Sequence, residues 1–419
     1  MEPQRSIGRR RSLWTRLSLF LSVIGPGIIT ANVDNDAGGL ATYSQAGAHF
    51  GLEVLWVLVP TTVLLIMIQE MVNRMGVVTG QGLSDMIRER FGVKLTFYLM
   101  VLVLMTNFGN VMAEFAGIAS AAEIFGIPRW IAVPVCAFLV WLLVLKGTYK
   151  SVEKIFLVAC FFYFAYPVTF IMLKPAIPEL LEAVVQPKLT FSTPYLAMVI
   201  GVVGTTIAPW MQFYQQASVA EKNIALRDYA YSRLDTIFGC IVVNAVAACI
   251  IVVCALTLHK AGSRIETAAD AARALTPFAG QASSYLFAFG LWNASLFAAS
   301  ILPLSTSYTI CEAVGWEGGV EKDFETAPQF YVLYTAIIGV GAVTILLPGI
   351  SFIGIMFWSQ VINGLLLPVI VVMILLLIND KQIMAEYTNG RLYNVVCWVS
   401  VIVLTGVSIA YVVSMFLVG

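Results

Sequence analysis

The stretch Gly25 to Gly51, GPGIITANVDNDAGGLATYSQAGAHFG, breaks an otherwise membrane-grade apolar segment. Apolar residues run from Leu17 to Ile29, and then Asn32, Asp34, Asn35 and Asp36 arrive together, followed by Gly38 and Gly39. A charged residue at the centre of a spanning helix costs about 2.5 to 3.5 kcal/mol on insertion scales, so two carboxylates at that depth imply a lined cavity or a bound cation. Unwound backbone survives at mid-membrane only where it faces protein or water, and broken helices of transporters offer such backbone to ions. The stretch is therefore expected to be a broken helix forming a cation site, with Asp36 as principal ligand and Asp34 and Asn32 as weaker candidates. A surface loop between two shorter helices is the competing reading.

The rest of the composition agrees with a membrane. Of 419 residues, 59% are hydrophobic and 11% charged, with a mean hydropathy of +0.87, which places the chain in the polytopic membrane class rather than among soluble enzymes. The arginine-rich start (Arg5, Arg9, Arg10, Arg11, Arg16) precedes an apolar run without a cleavage site, so the segment is expected to be retained. Seven cysteines lie singly in apolar segments with no CxxC spacing, as buried small hydrophobes do.

Runs of about 20 apolar residues give eleven expected spans, near 17–47, 53–76, 95–124, 130–146, 153–173, 193–217, 231–258, 283–311, 328–347, 351–378 and 393–417. With the basic N-terminus (1–16) cytoplasmic, the outer side holds only Arg129, Lys174, Lys188, Lys260, Arg264 and Arg273 of the 24 basic residues. The positive-inside rule favours that orientation, and the odd span count puts the C-terminus outside.

The sixth span repeats the interruption of the first. GVVGTTIAPWMQFYQQ (Gly201–Gln216) carries Gly204, two threonines and Pro209 at mid-span, where proline opposes a continuous helix. Interrupted segments five helices apart point to two inverted five-helix repeats, about 17–173 and 193–378, with the site at their interface and an eleventh helix at 393–417. In the third span Asn107, Asn110, Glu114 and Gly117 are spaced three, four and three apart and share one face. Glu114 and Asn110 there either line a cation pathway or anchor helix packing. Ser359, Gln360 and Asn363 make a polar face in the tenth span, and such faces also serve as helix–helix glue. Asp235 reads as structural or interfacial. The Ala-rich loop Thr267–Ala279 suits an outer helix, and Trp316–Thr326 a polar connection. His49 and His259 are the only histidines, both near an end of a span, and no Walker A loop is present, so a histidine cage or a nucleotide-driven pump finds no support.

QAGAHFG after the broken first span, MAEFAGIASAAEIFGIP in the third, the Pro-containing sixth and SQVINGLLLP in the tenth together resemble the Nramp family of divalent-metal transporters, across spans one to ten. The resemblance implies an all-α polytopic protein of the LeuT-type fold, with helices 1 and 6 broken, working by alternating access. The family's DPGN sequence falls on Asp36, Ala37, Gly38 and Gly39, so the aspartate is kept and the asparagine ligand is replaced by Gly39. The family's Met-Pro-His falls on Ala208, Pro209 and Trp210, its later histidine on Gln215, and its carbonyl donor on Thr205, and backbone carbonyls near Thr205 and Ala208 are expected to complete the metal site. Glu114 and Gln360 match family positions, and Gln360 and Asn363 are expected to bond the waters of the ion.

A thioether favours transition metals, whereas oxygen ligands and retained waters suit magnesium. Loss of the methionine and asparagine makes the pattern similar to the Nramp-related magnesium transporters, which implies uptake of largely hydrated Mg2+, and of Mn2+ too, as substrate, with no cofactor. Trp210 and Gln215 cannot titrate, so the transport is expected to be uncoupled from protons. A divalent ion gains about 4.6 kcal/mol per 100 mV of membrane potential, or roughly a thousandfold accumulation. The alternatives are proton-coupled Mn2+/Fe2+ transport, a sodium-coupled organic-solute carrier on the same scaffold, which Asp36 opposes, and a channel or receptor. The expected partners are the metal ion and the lipid bilayer of a bacterial plasma membrane, with no nucleic acid; the sequence leaves the oligomeric state open, a monomer included.

Overall fold

The computed structural model describes residues 35–145, 165–319 and 322–418. Asn32 and Asp34, the first part of the first expected span and 153–164 of the fifth lie outside those residues. Among the described residues the chain is helical throughout, without a strand. Eight of its helical stretches are long and apolar enough to cross a membrane.

In chain order the principal helices are α1 (Ala37–Phe50), α2 (Leu58–Thr79), α3 (Leu83–Phe91), α4 (Val93–Ile124), α5 (Arg129–Leu145), α6 (Ala165–Leu173) and α7 (Ile177–Val185). They continue with α8 (Thr193–Thr206), α9 (Pro209–Glu221), α10 (Tyr229–Cys254), α11 (Ser283–Val314), α12 (Pro328–Leu346), α13 (Phe352–Ile378) and α14 (Arg391–Val418). The expected spans from the second to the eleventh, the fifth apart, begin and end within a few residues of these helices. Short turns between Ala268 and Ala279 occupy the Ala-rich outer loop. Two helices were not anticipated, α3 and α7. Both are nine residues long, too short to register as spans, and lie in connections.

The sixth span is two helices. α8 ends at Thr206, Ile207 (φ −129, ψ 65) and Ala208 (φ −70, ψ 139) leave helical geometry, and α9 restarts with Pro209 in its first turn. Proline suits that place because its missing N–H would be unpartnered at a helix start anyway, and its fixed φ is preset for the first turn. The backbone of α8 packs hard on α13: a Cβ on Gly204 would stand 2.0 Å from the Gln360 carbonyl oxygen, and one on Gly364 2.4 Å from the Ile200 carbonyl oxygen. Small residues permit such close helix approach in membranes, where burial of apolar surface no longer drives association.

α1 lies at the middle of the bundle, packed against α4, α8, α10 and α13. From Ala37 to Ala48 every one of its residues is buried. Asp235 on α10 is buried, 2% exposed. The six described cysteines are free, and five of them are buried.

Candidate metal site at the start of helix α1

Asp36 stands immediately before α1 with extended backbone, and its Oδ1 accepts the Gly39 N–H at 2.7 Å. It thus caps the helix, satisfying one of the donors that any helix start leaves unpaired. The Ala37 N–H takes a different acceptor, Glu114 Oε2 on α4 at 3.3 Å. The Asp36 and Glu114 carboxyl groups lie within hydrogen-bonding reach of each other. Glu114 is fully buried, Asp36 is 5% exposed, and the other Glu114 oxygen finds no donor among the described residues. Neither carboxyl forms an ion pair with a Lys or Arg among the described residues. Two buried carboxylates this close repel unless one of them holds a proton or a cation comes between them.

Gln360 closes the third side. A Cβ added to Gly38 would meet the Gln360 side-chain nitrogen at 2.0 Å and Asp36 Oδ1 at 3.3 Å, so the amide rests directly on the Gly38 backbone beside the Asp36 carboxyl. Its Oε1 accepts from Asn363 Nδ2 at 2.9 Å and its Nε2 donates to Ser359 Oγ at 3.2 Å. Asn363 and Asn110 exchange reciprocal amide hydrogen bonds of 2.8 and 3.1 Å. The third-span face and the tenth-span face are therefore one polar network. Asn107 completes the α4 row by donating to Thr306 Oγ1 on α11 at 3.0 Å. One turn past Glu114, Gly117 lies so close to Ser295 and Ala37 that a Cβ would stand 2.2 and 2.5 Å from them.

The structure brings together Asp36, Gly38, Gly39, Glu114, Asn110, Gln360 and Asn363. Gly39 serves as the cap donor to Asp36. Glu114, expected along a pathway, lies at the helix start itself, and Asn110 is buried in an amide pair. Thr205 is 3% exposed and follows Gly204, which abuts Gln360. Its carbonyl would bond the N–H four residues on, which Pro209 lacks, so a backbone oxygen is left for another partner. Ala208 differs: its carbonyl already accepts from Met211 N at 3.2 Å and Gln212 Nε2 at 3.3 Å, so it supplies space rather than an oxygen. Tyr43 Oη and Thr206 Oγ1, 2.8 Å apart, tie α1 to the α8 break, a contact that no residue pattern marked.

Every identified polar group at the site is an oxygen or an amide. Hard divalent cations use such ligands, keeping waters where protein donors are few. Among the described residues no three His, Cys, Asp or Glu side chains gather into a ready-made metal cage.

Comparison with known proteins gives a consistent result. The family model for natural resistance-associated macrophage protein-like proteins, Nramp, matches residues 27–414. A divalent metal cation transporter, MntH, of Aeromonas hydrophila is 26% identical over 404 residues, covering 94% of this chain and 96% of the relative. The crystal structure of the Eremococcus coleocola manganese transporter superposes with a TM-score of 0.74 at 22% identity, over 95% of this chain and 87% of that one. MHP1, a nucleobase-cation-symport-1 family transporter, superposes with a TM-score of 0.60 at 14% identity, over 94% and 91% of the two chains. The likeness to these two structures is one of fold, the LeuT type.

Proposed function

This chain belongs to the Nramp family of divalent-metal transporters, and from that premise we propose that it carries Mg2+, with Mn2+ as a second substrate, by alternating access around Asp36. The observation that carries the reading is the pair of buried carboxyls, Asp36 and Glu114, meeting at the start of α1, neither of them ion-paired with a Lys or Arg among the described residues. The positions where the family places its soft and imidazole ligands hold Ala208 and Trp210. Oxygen donors, an amide and room for water favour an ion that sheds its hydration shell reluctantly.

Asp36 binds the ion directly or through one water, the Thr205 carbonyl adds a second oxygen, and Glu114 supplies the second negative charge. Gln360 and Asn363 set the amide dipoles around the hydration shell. Ala208 and Gly39 contribute the space that larger residues would fill. Asp34 and Asn32 remain candidate ligands from the stretch before the described residues. The chain lies in a bacterial plasma membrane with its N-terminus cytoplasmic, as a single transport unit of two repeats plus the eleventh helix. The membrane potential alone drives uptake, since Gln215 and Trp210 stand where titrating groups would serve proton coupling.

The test is uptake into proteoliposomes under an inside-negative potential, comparing Mg2+, Mn2+ and Ca2+, with Asp36→Ala alongside. Mg2+ influx that disappears in the variant supports the reading. Mn2+ influx without Mg2+ would sink the magnesium assignment. No metal flux at all would transfer the scaffold to an organic solute.

A further inference from the structure

We propose that the seam between α13 and α14 holds an anionic phospholipid, its phosphate gripped by Arg90, Lys381 and Arg391. At one end of the seam a cavity of about 580 Å3 is lined by Arg90, Leu376, Asn379, Lys381, Asn394 and Trp398. Farther along the same two antiparallel helices lies an apolar groove of about 630 Å3, bordered by Leu365, Val369, Val372, Ile409 and Val413. The first uses 375–381 of one side and 394–398 of the other, the second 365–373 and 405–413. The two are therefore successive stations along one furrow, polar at its end and apolar along its length. A phospholipid has that same division.

The charge at the polar end fits a phosphate. Arg90 Nε is held by Asp380 Oδ2 at 2.6 Å, which orients the guanidinium and leaves its two terminal nitrogens to form the fork that suits phosphate oxygens. Asp380 is itself committed, since its Oδ1 also accepts the Gln382 N–H at 2.8 Å. Lys381 is exposed, and Arg391 stands seven residues before Trp398, so the two share a face of α14. Arg90 and Lys381 thus line the cavity together with one carboxylate, Asp380, and Arg391 precedes the cavity residue Asn394 by one helical turn. Asn379 and Asn394 exchange amide hydrogen bonds of 2.8 Å in both directions, fixing α14 against the end of α13. Trp398, 38% exposed, is the residue type that settles at the headgroup level of a bilayer. Basic pockets between spanning helices are where anionic headgroups bind.

The apolar end selects a lipid over a free anion. Val369, Ile409, Val412 and Val413 are all more than 40% exposed and border the groove, a surface suited to an acyl chain and useless to inorganic phosphate.

The experiment uses the purified full chain, delipidated in detergent, and reads both the shift in thermal unfolding and the lipid retained in native mass spectra. Phosphatidylglycerol is expected to raise the unfolding temperature and stay bound, whereas phosphatidylcholine with the same chains and inorganic phosphate do neither. Each of Lys381→Gln and Arg391→Gln, which break no described ion pair, weakens retention about fivefold. Ser408→Trp, which fills the groove and leaves the cations alone, also lowers retention. Equal effects of phosphatidylcholine, reproduction of the shift by phosphate, or retention unchanged in both charge variants would overturn the proposal.

Discussion

The Gln360 amide lies against the Gly38 backbone so closely that an added Cβ would stand 2.0 Å from its nitrogen. The clashing atom is the end of a side chain, but that side chain is held by Asn363 and Ser359. Gly38→Ala should therefore push the amide off the site without unfolding the bundle. Uptake is expected to fall about tenfold while detergent-solubilised protein keeps its unfolding temperature, and adding Gln360→Ala to Gly38→Ala should bring back part of the loss. A Gly38→Ala protein that transports normally would show that the contact has no bearing on the ion.

Charge and architecture separate at Glu114. Glu114→Gln keeps an acceptor for the Ala37 N–H but removes the negative charge. If the charge serves the ion, Mg2+ uptake drops at least about tenfold, the equivalent of 1.4 kcal/mol in binding, in a folded protein. A carboxyl that only anchored helix packing would leave uptake near that of the unmodified chain.

Gly204 meets backbone rather than side chain, with Gln360 O at 2.0 Å and Gly364 N at 2.4 Å from an added Cβ. Backbone at a tight helix crossing cannot yield locally, so Gly204→Ala is expected to destabilise by about 1–3 kcal/mol. Thermal unfolding of the purified variant measures it, and an unchanged midpoint would mean that α8 and α13 separate freely.

Ala208→Met places a thioether beside the break. Soft sulfur prefers transition metals to magnesium, so Mn2+ should compete more strongly against Mg2+ in this variant than in the unmodified chain. Competition curves read the ratio directly. No change would indicate that the ion stays too hydrated to feel a side chain at this position.

Uncoupled transport makes a separate demand. Dissipating the proton electrochemical gradient with a protonophore, while a potassium diffusion potential is maintained, should leave the Mg2+ uptake rate as it was. Acidification of the lumen driven by a magnesium gradient would contradict it.

Asp36 was legible because a carboxylate in an apolar run costs too much to lack a purpose, and Pro209 because proline cannot continue a helix. Span limits were legible for the same reason, since hydrocarbon thickness sets a length that the sequence must match. What the sequence withheld are relations between helices. The spacing around Glu114 showed which residues share a face, but the meeting with Ala37 depends on how far α1 slides along α4. Asn110 and Asn363, 253 positions apart, are each an ordinary polar residue until the helices are assembled. Gly204 looked like part of a break and proved equally to be a point of backbone contact. The short helices α3 and α7 escaped because nothing in a span-length window detects nine residues at the edge of a bilayer.

From Tyr195 to Ala217, across the break between α8 and α9, every residue is buried, whereas α14 shows most of its surface to the outside. A segment with no lipid-facing side, and with a gap in its helix, has no stable resting place in hydrocarbon alone. During biosynthesis it must be sheltered from the moment it leaves the insertion machinery, either by earlier helices already in place or by the machinery itself. Its neighbour α13 is made some 150 residues later. The delay is a hazard written into the chain order, and loss of α13 should send the nascent protein to quality control rather than yield a weakened carrier.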